Sequence, residues 1–211
     1  IRDSILIHGL GQNSKDWDTI KNELETRGIS SVAPDLFDLA NGRKLDYPTV
    51  YQAFSELCES YQDKLNLCGL SLGGLLALNY AIQYPKKINS LVLIGTPFEI
   101  PKGLLKFQNI VFRFMPKAVF QNMGVSKKDF IRLSKSMVDL NFMDSATALD
   151  CPALILCGAK DKTNMESAKR FHEAMKNSKL VIVEASGHEV NKDNPNELVR
   201  VLQDFLSLIH I

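Results

Sequence analysis

The sequence predicts an α/β protein built on a doubly wound, mainly parallel sheet of about six strands. Three observations carry that prediction: six short apolar runs recur along the chain, helical patterns fill most of the gaps, and the runs are continuously rather than alternately hydrophobic. A strand that is apolar on both sides is covered on both sides, which is the situation in a parallel sheet flanked by helices. With 211 residues, 45% of them hydrophobic, the chain can bury one full core and is read as a single domain over 1–211.

In order, the runs are Ser4–Ile7, Ser30–Ala33, Leu65–Cys68, Leu91–Ile94, Ala153–Leu156 and Leu180–Val183. The helical patterns between them span Trp17–Arg27, stopped by Gly28, then Thr49–Tyr61, Leu72–Tyr84, stopped by Pro85, Met165–Met175 and Pro195–Leu208. Thr163-x-x-Glu166 reads as a capping box, and Asn194-Pro195 as a cap followed by proline at the first helical position. One gap breaks the alternation. From about 98 to 147 no strand pattern occurs, so this stretch is expected to be a helical lid inserted after the fourth strand.

Composition excludes several classes. Twenty-five Lys and Arg against 24 Asp and Glu leave a net charge of +1, which gives no support to a nucleic-acid partner. No run approaches the roughly 18 apolar residues of a membrane span, so no stable membrane insertion is expected. Cys58, Cys68, Cys151 and Cys157 lack the paired short spacing of a zinc site and read as buried reduced thiols. That pattern, with no visible signal peptide, leads to an expected cytoplasmic setting. No metal or cofactor is expected, because neither a paired His/Glu helix motif nor a phosphate-cradling Gly-Lys-Ser/Thr loop occurs.

The stretch "NLCGLSLGG" places Ser71 where a strand gives way to a helix. A residue at the tip of such a turn has a strained backbone and projects its side chain above the carboxyl edge of the sheet. Gly69 and Gly73 are expected there because Cβ atoms at those positions would collide as the helix folds back. A serine hydroxyl needs a base to become a nucleophile, and the base needs an acid to hold its tautomer.

Four histidines compete for the base. His172 lies in the charged pattern "AKRFHEAM", His210 is next to last, and His8 at the end of the first run has an expected structural role. His188, on the Ser-Gly loop after the last run, is the expected base. Asp161, in "GAKD" after the fifth run, is the expected acid, with Glu99 in reserve; the chain order Ser71, Asp161, His188 supports it. The Gly9-Leu10-Gly11 turn follows the first run, and the backbone N–H groups of Leu10 and Leu72 are the expected oxyanion donors.

Taken together, His8-Gly9-Leu10-Gly11 with Trp17, Pro34-Asp35, Gly69-Leu70-Ser71-Leu72-Gly73-Gly74, Gly158 with Asp161, and Gly187-His188 followed by Pro195 resemble an α/β-hydrolase-fold serine hydrolase of the small, single-domain esterase type. The resemblance covers nearly the whole chain outside the insertion. It implies Ser71 as nucleophile, Asp161 as acid, His188 as base, Leu10 and Leu72 as oxyanion donors and the insertion as the lid. Two departures stand out. Family members usually carry a strand pair before the His-Gly segment, so six strands rather than eight are expected here. Where many relatives have a glycine-rich loop after Pro-Asp, this chain reads "PDLFDLANGRKLDYP", which changes one pocket wall.

The insertion is the clue to substrate. Seven of the 11 phenylalanines lie in or beside it. Most are accounted for by packing of the lid on the sheet; Phe98, Phe112 and Phe114, with Gly9, are the expected substrate-binding residues of an apolar acyl pocket. From Lys102 to Lys135 eight bases face one acid, Asp129, a local +7 against −6 in the rest of the chain. This is either a solvated helical face or a basic rim that steers anionic substrates. The expected activity is hydrolysis of a small-molecule ester or thioester. The alternatives are a carbon–carbon bond hydrolase, an aminopeptidase, or a receptor-like module with the site idle.

Overall fold

Each apolar run becomes a strand. In the computed structural model, which describes residues 4–98 and 115–208, these are β1 (Ser4–Ile7), β2 (Ser31–Val32), β3 (Leu65–Leu70), β4 (Ile88–Ile94), β5 (Ala153–Gly158) and β6 (Ser178–Val183). They form one sheet in the order β2-β1-β3-β4-β5-β6, with every neighbouring pair parallel. β2 is shorter than its apolar run because Pro34 follows closely and has no N–H to extend a ladder. β6 begins two residues earlier than hydrophobicity suggests. It is an edge strand with a partly exposed surface, so Ser178 and Lys179 pair without being apolar.

The α-helices among the described residues are α1 (Asp18–Thr26), α2 (Leu36–Leu39), α3 (Tyr47–Glu59), α4 (Leu72–Gln83), α5 (Lys117–Asn122), α6 (Lys127–Ser136), α7 (Met143–Ala146), α8 (Met165–Ala174), α9 (Val190–Asp193) and α10 (Pro195–Leu208). Strand residues alternate between two apolar layers. Ile5, Ile7, Leu67, Leu91, Leu93 and Ile155 pack with residues of α3, α4 and α8. Leu6, Cys68, Leu70, Val92, Ile94, Leu154 and Leu156 pack with residues of α1 and α10. Period-2 alternation thus splits each continuously apolar strand between two cores. α4 is apolar nearly all round and correspondingly buried, which seats the residue before it at the middle of the sheet.

Caps explain most differences from the sequence reading. Asp46 accepts the Thr49 N–H at 3.1 Å, so α3 starts at Tyr47 rather than Thr49. Asn194 caps α10 through the Glu197 N–H at 3.3 Å, as expected. The capping box at Thr163 and Glu166 does not form. Asn164 is the N-cap of α8, yet its side chain makes no cap hydrogen bond. In the Pro34–Pro48 stretch, to which the sequence pattern assigns no element, Asp35 Oδ1 accepts the N–H groups of Phe37 (3.0 Å) and Asp38 (3.3 Å) and starts the single turn α2.

Between β4 and β5 the described residues fold as α5, α6 and α7, without a strand. Phe120 and Phe130 are buried against each other with ring centroids 5.1 Å apart, and Ser136 Oγ accepts the Tyr47 N–H at 2.7 Å, fastening α6 to α3. All four cysteines are free, with Cys58, Cys68 and Cys157 buried. Among the described residues no helix is long and apolar enough to cross a membrane, and no group of three or more His, Cys, Asp or Glu could hold a metal ion.

Candidate active site

Ser71 stands between the last residue of β3 and the first of α4 with φ 54° and ψ −111°. A non-glycine residue adopts positive φ only under constraint. The constraint is visible on both sides: a Cβ on Gly69 would land on the Gly73 backbone, and one on Gly73 would land on the Ile7 carbonyl of β1. The glycines let α4 turn back across β3 and β1 at backbone contact. The Ser71 N–H is tied to the Ile94 carbonyl at 2.9 Å, while its hydroxyl is partly exposed and makes no hydrogen bond with another described residue. Leu72 opens α4, so its N–H has no intrahelical acceptor and lies at the positive end of the helix dipole.

Two loops beyond β5 and β6 meet over the end of β4. Lys160 N–H donates to the Ser186 carbonyl at 2.8 Å and Ala159 N–H to the Val183 carbonyl at 3.0 Å, joining the loops edge to edge. Asp161 Oδ2 and His188 Nδ1 come within 2.8 Å across this junction. Asp161 is 6% exposed. Burial pushes it towards the neutral acid, but hydrogen bonds from His188 and Asn164 outweigh burial and hold its carboxyl below the ordinary value. A Cβ on Gly95, whose φ is 51°, would stand 3.0 Å from His188 Nδ1 and 3.2 Å from Asp161 Oδ2. Gly95 directly follows Ile94, the residue that holds the Ser71 N–H. The Asp161–His188 pair and the Ser71 turn are therefore gathered at one point, the carboxyl end of β4.

The Gly9-Leu10-Gly11 turn forms the opposite side. A Cβ on Gly9 would be 3.4 Å from Ser71 Cβ, and one on Gly11 would be 3.8 Å from Met123 Cε. The turn thus runs between Ser71 and the insertion. Leu10 is half-buried, and its N–H makes no turn or cap hydrogen bond among the described residues. His8 has the structural role expected of it. Burial lowers its pKa, and the neutral ring donates from Nδ1 to the Gly9 carbonyl (2.9 Å) and accepts the Leu36 N–H at Nε2 (3.0 Å).

Phe98 is buried under other groups: its ring meets Phe171 edge-on at 6.1 Å, and the Arg170 guanidinium lies 4.2 Å from the ring centroid. Phe112, Phe114 and the reserve acid Glu99 lie outside the described residues, as does His210. His172 is a surface residue whose Nδ1 lies 2.9 Å from Ser178 Oγ.

Three site residues escaped the sequence reading. Gly95 gives the room described above. Gln12, 1% exposed, donates to Glu189 Oε1 (2.8 Å) and Asn191 Oδ1 (3.1 Å), linking the Gly9 turn to the His188 loop. Asn164 turns its amide onto Asp161. The sequence signal for the last was an Asn before a helical pattern, which reads as an ordinary cap.

Similarity to known proteins agrees with this fold. Residues 5–138 match the family model described as alpha/beta hydrolase fold. Lipase 3 of a Moraxella species is 27% identical over 92% of this chain and 75% of its own. A putative 2-succinyl-6-hydroxy-2,4-cyclohexadiene-1-carboxylate synthase of Bacillus subtilis is 24% identical over 97% of this chain and 90% of its own. The structure of a thermophilic esterase from Thermogutta terrifontis superposes with a TM-score of 0.83 at 18% identity, covering 100% of this chain and 91% of that one. With a family match over more than half its length and a six-stranded parallel sheet to carry it, the chain belongs to the alpha/beta hydrolase fold family.

Proposed function

We propose that the protein is a serine hydrolase that cleaves carboxylic ester or thioester bonds of small, mainly apolar acyl substrates through an acyl-enzyme. The observation that carries this reading is the 2.8 Å Asp161–His188 contact at the end of β4, beside a serine held at positive φ. Ser71 Oγ attacks the carbonyl carbon while His188 Nε2 takes its proton. The oxyanion is met by the N–H groups of Leu10 and Leu72, each such donor contributing about 3–4 kcal/mol to the transition state. The alcohol or thiol leaves with the proton from His188. Water then gives a proton to His188, its oxygen bonds to the acyl carbon, and the Ser71 Oγ–acyl bond breaks with return of that proton. Every step uses groups of this chain alone, and chelators should leave the rate unchanged.

The insertion serves as the lid and shapes substrate choice. Lys117, Gly124, Lys127 and Lys128 line a cavity of about 530 Å³ in it, and Met123, the residue before Gly124, approaches Gly11. A basic rim of this kind favours substrates with an anionic end.

A fluorophosphonate probe tests the class. It should label the wild type and not Ser71→Ala; a well-folded wild type that takes no label would be a receptor rather than an enzyme. An ester and thioester panel then tests the bond. For an anionic thioester kcat/KM should fall several-fold between about 20 and 500 mM salt, as the Debye length shrinks from roughly 20 to 4 Å. Equal salt responses for a neutral ester would reduce the basic rim to a solubility feature.

A further inference from the structure

Asn164 is an N-cap that does not cap. Asn is favoured at that position because its side-chain oxygen accepts a free N–H of the helix's first turn. Here no such bond forms. The side chain is turned instead to Asp161, with Nδ2 at 3.0 Å from Oδ1 and 2.9 Å from Oδ2, and the Asn164 backbone N–H reaches Oδ1 at 3.3 Å. Only the NH₂ end of an amide can face two carboxylate oxygens. Among the described residues the Asp161 carboxylate has just two partners, His188 and Asn164. Asn164 is 8% exposed and Asp161 6%, so water has little room to substitute.

Resting on the reading of Asp161 and His188 as an acid–base pair, we propose that Asn164 is its positioning residue: the side-chain amide fixes the carboxylate against the imidazole and shares its charge, so that Nδ1 of His188 keeps its proton and Nε2 is left to accept one from Ser71. The third contact of the amide explains why tautomer is the sensitive quantity. Asn164 Nδ2 lies 3.2 Å from His188 Nδ1. Two nitrogens that close cannot both aim a hydrogen at the other. With the Nδ1 hydrogen directed to Asp161 Oδ2, the amide hydrogens fall on the carboxylate and every donor has an acceptor. With Nδ1 bare, it could accept an amide hydrogen from Asn164, but the carboxylate would then lose that donor as well as the imidazole N–H, and the Nδ1 lone pair would oppose that of Oδ2 at 2.8 Å. The other ionisable groups nearby do not replace the amide. Cys157, a thiol that burial pushes up to about 12, has its Sγ 3.8 Å from the Asp161 carbonyl rather than its carboxylate. Glu189 is engaged by Gln12 and Lys192, and Asp193 by the Gly187 N–H.

The test reads the pair without relying on turnover. Imidazole ¹⁵N shifts of His188, assigned by loss of its signals in His188→Gln, report the tautomer, and the Asp161 side-chain ¹³C shift reports carboxylate protonation. Asn164→Ala removes the amide, and Asn164→Leu fills its volume without a donor. Both variants should reduce the Nδ1–H population and raise the pH at which Asp161 takes up a proton. Ester kcat should fall about tenfold to a hundredfold, well short of the roughly 10⁴ expected when the acid itself is lost, with KM within about threefold. Wild-type tautomer and Asp161 titration in both variants would overturn the proposal, as would a change confined to melting temperature or KM. Should Asn164→Leu fail to fold, Asn164→Ala and Asn164→Ser carry the same readouts. Asp161→Asn separates the two levels. If it too leaves the His188 tautomer and ester turnover unchanged, the acid–base pairing falls; if it alters both while the Asn164 variants do not, only the role of Asn164 falls.

Discussion

The Ser71 turn and the Asp161–His188 junction lie at the same end of the sheet and place their functional groups in different ways. The turn is held by backbone: positive φ at Ser71, the Ser71 N–H on the Ile94 carbonyl, and glycines pressed against β1 and each other. At the junction backbone joins the two loops, with Gly158 pressed against the Ser186 and Gly187 carbonyls, but the functional groups are placed by side-chain hydrogen bonds: Asp161 accepts from His188 and Asn164, and Gln12 is bonded to Glu189 and Asn191. The first kind of construction cannot be altered without moving the sheet. In the second, one atom can change while the loops stay where they are. Damage to the turn should therefore register chiefly as lost stability, and loss of a side-chain hydrogen bond at the junction chiefly as lost rate.

The largest effect expected from this contrast is that of Gly73→Ala. Its methyl meets the Ile7 carbonyl, backbone that cannot swing aside, so a loss of about 3 kcal/mol or more is expected, at the upper end of overpacking costs. Thermal unfolding should show a drop of roughly 10 °C; a wild-type melting temperature would mean that α4 can slide and that the turn is not backbone-locked. Next is Asp161→Asn, which should retain the fold and lower kcat by about 10⁴ through the wrong tautomer of His188. Its stability deficit has a defined pH window. The Asp161 pKa is lowered in the folded state from 3.8, so the stability it contributes is present above that value and is lost as pH falls through the folded value. The melting temperatures of wild type and Asp161→Asn should accordingly differ by a steady amount above about 3.8 and draw together as pH falls from there through the lower folded value.

A smaller effect is expected of Gln12→Ala, which cuts the link from the Gly9 turn to the His188 loop. Ester kcat should fall about tenfold with little change in KM, because misplacement of His188, the proposed base, costs orientation rather than binding. An unchanged kcat would show that the loops hold their places without Gln12. Smallest is Gly187→Ala, at the glycine just before His188. A Cβ there meets only Asp193 Oδ2 at 3.3 Å, the end of a side chain that can shift, and the cost should stay below about 1 kcal/mol. A loss as large as that of Gly73→Ala would erase the distinction between the two regions.

What could be read from the chain alone follows the same division. Continuous apolarity over six runs gave the parallel sheet because burial on both faces is a property of consecutive residues. Ser71 was legible because a tight strand-to-helix turn demands glycines at fixed offsets, and sequence spacing records that demand directly. Asp161 and His188 could be nominated from their places after strands. Their meeting at 2.8 Å, between residues 27 apart, required β5 and β6 to pair in register so that their loops join. Gln12 and Asn164 were out of reach. Gln12 finds its partners 177 and 179 positions away, a contact that exists only once β1 and the last loop share the top of the sheet. Asn164 had a local alternative, the cap of α8, that propensity favours. The tertiary structure decided otherwise, because a buried carboxylate beside it gains more from a donor than the helix end, which can be solvated, gains from a cap.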